Sequence, residues 1–403
     1  MREGAFRNPT TVFFGASQFT PYIAEVAAFG PRLLMMSGSS SRLAGDVAQR
    51  VVDALESFGH HVVEARDICP GVDSKKIDSI VALGRNERID GVLALGGGTV
   101  IDAAKAVSLG LCDPSSLLAL FRREVVPVAA APLCVVLTLP GTGSESSHAA
   151  VFVDHESGRK LDLGTPLIQP RVAFIDPELS LSAPVARRAA GAVDAMSHVL
   201  ERYFTRTQGV EVSTSLCESV LRSLVGCGLR LIADPSDRSN AANLAWCAKL
   251  AHDDTLGFGR QQDWATHRIS HAVESIVQRQ FVHGELLAAL FPAWLDFVSY
   301  RESSWLDRLA AIGIFEGIGD IPGVNPDEGT SRHPFVRDLR RFYRFLGMPT
   351  QLDIKRDEMH SLARSIATEA VSGMRSGTLG NYLRLSVSDI EQIVIAACGR
   401  QRD

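Results

Sequence analysis

The sequence predicts two domains of different class: an α/β N-terminal domain over residues 1–182, built on a parallel sheet with flanking helices, and an all-α C-terminal domain over residues 183–403. Three observations predict it. Up to about Asp176, short β-branched and apolar runs alternate with amphipathic stretches, the pattern of strands connected by helices that cover a parallel sheet. Beyond Pro184 only apolar periodicities of helical type occur. Within the first half, one apolar run ends in three consecutive glycines, Gly96, Gly97 and Gly98, and passes directly into a helical pattern.

In chain order, TTVFFG, PRLLMMS, HHVVEA, GVLALGGG, PLCVVLTLP and RVAFID read as strands, with SRLAGDVAQRVVDALESFG and SKKIDSIVALGRNERI as helices between them. The runs AAVFVD and RKLDLG flank the turn-like HESG and predict a hairpin close to the sheet's edge. In the second half, VARRAAGAVDAMSHVLERYF, GVEVSTSLCESVLRSLVGCGLRLI, NAANLAWCAKLA, LLAALFPAWLDFV, FVRDLRRFYRFL and SVSDIEQIVIAAC carry helical periodicity. GIGDIPGVNPDEGTSRHP, rich in Gly, Pro and acids, reads as a loop between helices.

A chain of 403 residues is too long for one ordinary core and suits about two domains. Hydrophobic residues make up 46% and charged residues 22%, as in a globular enzyme, and a net charge of −5 argues against a nucleic-acid surface, where a basic field is expected. The cysteines (Cys69, Cys112, Cys134, Cys217, Cys227, Cys247, Cys398) are odd in number and form no CxxC pair, which predicts free thiols in a reducing cytoplasm. MREGAFRNPTTVFFG lacks the apolar core of a signal peptide, and no run approaches the roughly 18 to 20 apolar residues of a membrane span. A cytoplasmic protein without a membrane or nucleic-acid partner is the expectation.

Two loops are candidates for holding a cofactor. Gly96, Gly97 and Gly98 let a backbone approach a pyrophosphate, and the helix starting near Thr99 offers free N–H groups and a favourable dipole, with Asp102 and Lys105 one turn on. A plain tight turn is the alternative, since this is neither the GxGxxG fingerprint nor a Walker A loop. In TLPGTGSESSHAAVF, Thr138, Thr142 and Ser144 bring hydroxyls beside Gly141 and Gly143, suited to phosphate, ribose or carboxamide oxygens. The alternative there is a turn capping a following helix, with Ser144 as cap.

The stretch Asp263–Glu285 concentrates three of the eleven histidines. His267 and His271, four apart, share one helix face, and His283 is followed at once by Gly284. In GAVDAMSHVLERY, Asp194 and His198 repeat the i, i+4 spacing. One carboxylate and up to four imidazoles in two matched half-sites are enough for a divalent metal, whereas a lone histidine on an apolar helix is more often a hydrogen-bonded core residue. His60, His61, His148, His155, His252, His333 and His360 have no such partners.

Taken together, GGGTVIDAAKA, PGTGSES, AFIDPELSLSAP, GAVDAMSHVLERY, HRISH with VHGE, and RFYRFLGMPTQL resemble, in order, the group III or iron-dependent alcohol dehydrogenases. The resemblance implies a dehydroquinate synthase-like architecture: a dinucleotide-binding α/β domain, a helical metal-binding and catalytic domain, and an active site in the cleft between them. It implies Asp194, His198, His267 and His283 as metal ligands, and His271 and Asp102 beside the nicotinamide, His271 as a proton-relay candidate. Gly96, Gly97, Gly98 and Thr99 would hold the pyrophosphate, Thr138, Thr142 and Ser144 the adenine and nicotinamide halves, and Lys160 the nicotinamide ribose. The cofactors implied are NAD or NADP and one divalent ion, Fe²⁺ or Zn²⁺, in a homodimer acting on a small alcohol or aldehyde.

Two departures from that family stand out. Eleven residues, AVESIVQRQFV, separate His271 from His283, a longer interval than in most relatives. At the end of PRLLMMS, Gly38 stands where many relatives carry the aspartate that accepts the adenosine ribose. Such a carboxylate repels the 2′-phosphate of NADP; without it, Ser37, Ser39, Ser40, Ser41 and Arg42 offer hydroxyls and one positive charge, which leans toward NADP. The reaction implied is hydride transfer between nicotinamide C4 and a metal-polarised carbonyl or alcohol. Two other readings compete: a cyclising lyase of the dehydroquinate synthase type, which should line its cleft with Lys and Arg not seen near the ligand stretches, and a non-catalytic nucleotide-binding protein.

Overall fold

Continuous burial along the central strands organises the first half of the chain. In a computed structural model that describes residues 1–38, 42–279, 281–320, 331–354 and 356–398, these strands form a six-stranded parallel sheet. Ser39, Ser40 and Ser41, the side chain of Arg42, and residues 321–330 of the expected loop lie outside the described residues. The sheet comprises β1 (Thr11–Phe14), β2 (Arg32–Ser37), β3 (His61–Ala65), β4 (Gly91–Gly96), β5 (Leu133–Leu137) and β8 (Val172–Ile175), in the order β1-β8-β5-β4-β2-β3. Odd and even positions face opposite layers. Leu34, Met36, Val92, Ala94, Val135 and Ala173 enter one buried cluster, and Leu33, Met35, Leu93, Leu95, Val136 and Phe174 the other. A sheet covered on both faces explains why its strands read as continuous apolar runs.

Helices α1 (Phe19–Ala27), α2 (Arg42–Ser57), α3 (Ser74–Asn86), α4 (Gly98–Cys112), α5 (Leu117–Phe121) and α6 (Pro177–Leu181) connect or flank these strands. The expected hairpin forms, as β6 (Ala149–Val153) and β7 (Lys160–Gly164), but as a separate two-stranded antiparallel sheet. It packs against α4 and α5 instead of extending the large sheet's edge, and Phe152 meets Phe121 with ring centroids 4.2 Å apart.

After Pro184 the named elements are helical, as periodicity predicts: α7 (Val185–Tyr203), α8 (Glu211–Ala233), α9 (Arg238–His252), α10 (Ala265–Val277), α11 (His283–Ser299), α12 (Ser304–Ala311), α13 (Pro334–Phe345), α14 (Arg356–Ala370) and α15 (Val387–Cys398). α12 and α14 add to the helices read from sequence. By their contacts the residues form two compact units, one of 7–184 with 238–253, the other of 1–6, 185–237 and 254–403. α9 thus belongs with the sheet and packs on α6. Five of the seven cysteines are buried. No helix among the described residues is long and apolar enough to cross a membrane.

Candidate active-site residues

In the helical unit, α7 presents Asp194 and His198 on one face, one turn apart, and both are buried. Three imidazole nitrogens converge on a single carboxylate oxygen: His198 Nδ1, His267 Nε2 and His283 Nε2 each lie 3.8 Å from Asp194 Oδ1. That separation is too long for a hydrogen bond and close to the roughly 3.4 Å between two ligands bonded to one ion at about 2.1 Å. Ligand atoms of Asp194, His198 and His267 all fall within 4.8 Å of one another. Among the described residues, Asp194 Oδ1 and His267 Nε2 have no hydrogen-bond partner although buried, an expensive arrangement that a cation would relieve. Burial alone would depress the His267 imidazole, but the neighbouring carboxylates of Asp194 and Glu201 outweigh it and hold its pKa above the ordinary value. The donor set fits a divalent ion.

The long His271–His283 interval is taken up where α10 ends and α11 begins. Val277 is the last residue of α10, Gln278 turns the chain in the left-handed region with φ 50°, and His283 is the first residue of α11. A Cβ on Gly284 would lie 2.0 Å from the Ala190 carbonyl oxygen, so α11 meets α7 backbone against side-chain-free backbone. Ala190 is one turn before Asp194, and this close approach brings His283 to the carboxylate. The half-buried His271 lies on the next turn of α10, its ring centroid 5.9 Å from that of His283.

One participant escaped the sequence reading. Glu201, on α7 one turn beyond His198, is completely buried, and its Oε1 lies 3.2 Å from His267 Nδ1. Its spacing, seven residues after Asp194 in DAMSHVLE, was the available signal. Asp263, buried just before α10, accepts from Ala265, Asn381 and Tyr382 N–H; burial first, and then the Glu201 charge, push its pKa above the ordinary carboxylate range.

In the sheet unit, both glycine-bearing loops leave the carboxyl ends of adjacent strands β4 and β5, where doubly wound sheets hold their ligands. The Thr138 amide donates to the Gly96 carbonyl at 3.1 Å. The glycines are demanded partly by the protein's own packing: a Cβ on Gly96 would lie 2.5 Å from Val100 Cγ2, and one on Gly98 2.5 Å from Thr142 Cγ2. Gly97 is the extended residue before α4, and Thr99 stands half-buried in the helix's first turn.

The capping alternative for Ser144 does not hold, because strand β6, not a helix, follows its loop. Instead Ser144 Oγ donates to Asp102 Oδ1 at 2.6 Å and accepts from Lys105 Nζ at 2.8 Å, while Val151 N–H donates to Asp102 Oδ2 at 3.1 Å. Both Asp102 oxygens therefore tie α4 to the loop and the hairpin. Burial raises the Asp102 pKa, opposed by Lys105, Ser144, Val151 and, more weakly, Lys160, which opens β7. Thr142 Oγ1 accepts from the Ser144 amide at 3.2 Å. Gly38, directly after β2, borders a cavity of about 200 Å³ lined by Ser37, Gly45, Ala48, Gln49, Arg66 and Asp67, where Arg66 is paired with Glu64.

Lys105 is a second participant that the sequence reading placed without giving a role. Fully buried, it also donates to Ser147 Oγ and the Ala149 carbonyl, and burial pulls its pKa down to about 8 against the pull of Asp102 and Glu145. A lysine three residues after Asp102, in a helix start that is apolar around the two charges, was its signal. Glu145 is fully buried with no hydrogen-bond partner on either carboxylate oxygen among the described residues, and burial pushes it up to about 7. A carboxyl whose folded pKa exceeds its unfolded value of about 4.5 favours the fold most below that value. Its contribution is then lost as pH rises to about 7, here up to about 3 kcal/mol. Urea unfolding across that window should show stability falling with pH, and Glu145→Gln should flatten the fall; an unchanged slope in the variant refutes the assignment.

Comparison with known proteins places the chain among oxidoreductases that act on alcohols. Residues 9–177 match the family model of iron-containing alcohol dehydrogenase, and residues 188–398 that of the C-terminal part of the same family. The chain belongs to the iron-containing alcohol dehydrogenase family, as the motif resemblance implied. It is 28% identical over 400 residues to a probable NADH-dependent butanol dehydrogenase 1 of Bacillus subtilis, covering 98% of this chain and all of the relative. With the NADPH-dependent aldehyde reductase YqhD of Escherichia coli it shares 30% over 357 residues, 87% of this chain and 89% of the relative. Among solved structures, NADH-dependent butanol dehydrogenase A of Thermotoga maritima superposes with a TM-score of 0.87 at 28% identity, covering 98% of this chain and 99% of that one.

Proposed function

We propose that this chain is a metal-dependent, NAD(P)-linked alcohol dehydrogenase or aldehyde reductase. The observation that carries this reading is the set of three imidazole nitrogens at 3.8 Å from one buried carboxylate oxygen, in a chain of this family. Asp194, His198, His267 and His283 hold the ion, Fe²⁺ or Zn²⁺, both of which nitrogen and oxygen donors suit. Such an ion supplies Lewis-acid polarisation of a carbonyl or alcohol oxygen, and the nicotinamide supplies the hydride.

The chain's own residues supply position. Gly96, Gly97, Gly98 and Thr99 at the start of α4 present backbone N–H groups to the pyrophosphate. Thr138, Thr142, Ser144 and Lys160 border the nucleoside portions, with Gly38 and Ser39 at the adenosine end. Asp102 anchors the nicotinamide-side loop, and His271 exchanges the alcohol proton. A cytoplasmic homodimer belongs to the same reading. Family membership favours the dehydrogenase over the cyclising lyase or a non-catalytic nucleotide binder.

The test is oxidation of NADH and NADPH with a panel of aldehydes, after reconstitution with Fe²⁺ or Zn²⁺. Turnover is expected, with kcat/KM for NADPH comparable to or above that for NADH, because no β2 carboxylate opposes a 2′-phosphate. No turnover with either cofactor overturns the function, and a strong NADH preference overturns the cofactor lean alone.

A further inference from the structure

We infer that Glu201 is a positioning residue of the metal centre: it fixes the ring orientation and tautomer of His267, and at the same time anchors the start of α10. The inference rests on the metal reading above. Glu201 has no exposure to solvent, and a carboxylate placed there without partners would be costly. It is fully used instead. Oε2 accepts from Trp264 N–H at 2.7 Å; Oε1 accepts from Thr266 N–H at 3.0 Å, from Thr266 Oγ, and from His267 N–H at 3.2 Å.

A carboxylate oxygen surrounded by three donors acts as an acceptor, so its 3.2 Å contact to His267 Nδ1 places the ring proton on Nδ1. The lone pair is then left on Nε2, the atom 3.8 Å from Asp194 Oδ1. The backbone agrees. Trp264 occupies the left-handed region at φ 68°, which a bulky residue adopts only when its surroundings compel it, and the Glu201 bond to its amide does so. One α7 face thus carries two ligands and the residue that aims a third. Carboxylates behind a ligating imidazole typically contribute about 10–100-fold in metal affinity.

The experiment compares wild type, Glu201→Gln and Thr266→Val, each stripped with chelator, checked by circular dichroism, and titrated with Zn²⁺ and Co²⁺ against a competing chelator. Glu201→Gln should weaken metal binding by about 10–100-fold and alter the Co²⁺ absorption. Thr266→Val removes an anchoring hydroxyl but leaves the Nδ1 contact, so it should lower melting temperature with metal affinity intact. Wild-type affinity in Glu201→Gln, or an equal loss in Thr266→Val, overturns the inference. Should Glu201→Gln fail to fold, ring ¹⁵N–¹H correlation of Zn²⁺-loaded wild type decides, since a proton on Nε2 of His267 excludes the role. Wild type that binds neither ion overturns the underlying metal reading instead.

Discussion

Replacing His267 with alanine is expected to abolish bound divalent metal and aldehyde reduction together. The ring is one of the four donors proposed for the ion, stacks on His198 with centroids 4.6 Å apart, and is 7% exposed, so water cannot readily replace it in the same geometry. Its loss also removes the Nδ1 partner of Glu201, leaving a buried negative charge held by the Trp264, Thr266 and residue-267 N–H groups and the Thr266 hydroxyl. Metal content by inductively coupled plasma mass spectrometry, alongside far-UV circular dichroism, checks the outcome. A folded variant that keeps a full equivalent of metal refutes the ligand role.

Gly284→Ala is expected to be nearly as damaging although it adds only a methyl group. The new Cβ would lie 2.0 Å from the Ala190 oxygen, 2.7 Å from its carbonyl carbon and 2.9 Å from its Cα. All three are backbone atoms of α7, so no rotamer change relieves the overlap, and the start of α11 must move by more than an ångström. Overpacking of this kind costs about 1–3 kcal/mol or more. Because His283 adjoins Gly284, the movement also withdraws a proposed ligand, and displacements near 1 Å cost about 100-fold in rate. Melting temperature and metal affinity should fall together. Wild-type metal affinity with normal turnover would show that His283 is not held by this contact.

Much of the fold and of the candidate site was legible because local periodicity carries it. Continuous apolar runs announced a sheet buried on both faces, and the glycine run after GVLAL announced a strand-to-helix turn. The i, i+4 pairs Asp194/His198 and His267/His271 announced shared helix faces, since 3.6 residues per turn decides which side chains are neighbours. The hairpin was visible as two strands, yet its packing on α4 and α5 was not, because strand patterning says which face is apolar and not what will cover it. α9 likewise reads as one more amphipathic helix, and only packing assigns it to the sheet unit against α6.

What the sequence by itself determined was therefore a class of chemistry and its local carriers: a glycine turn suited to a nucleotide and two helical half-sites suited to a metal. Tertiary structure decided how those carriers are completed. It set His283 at the same 3.8 Å from Asp194 as the other two imidazoles through the Gly284–Ala190 approach, placed Glu201 behind His267, and turned Ser144, Asp102 and Lys105 into one hydrogen-bonded group. The physical reason is common to all three. Each contact joins segments tens of residues apart, and its distance follows from how closely two backbones can pack, a quantity no local pattern encodes.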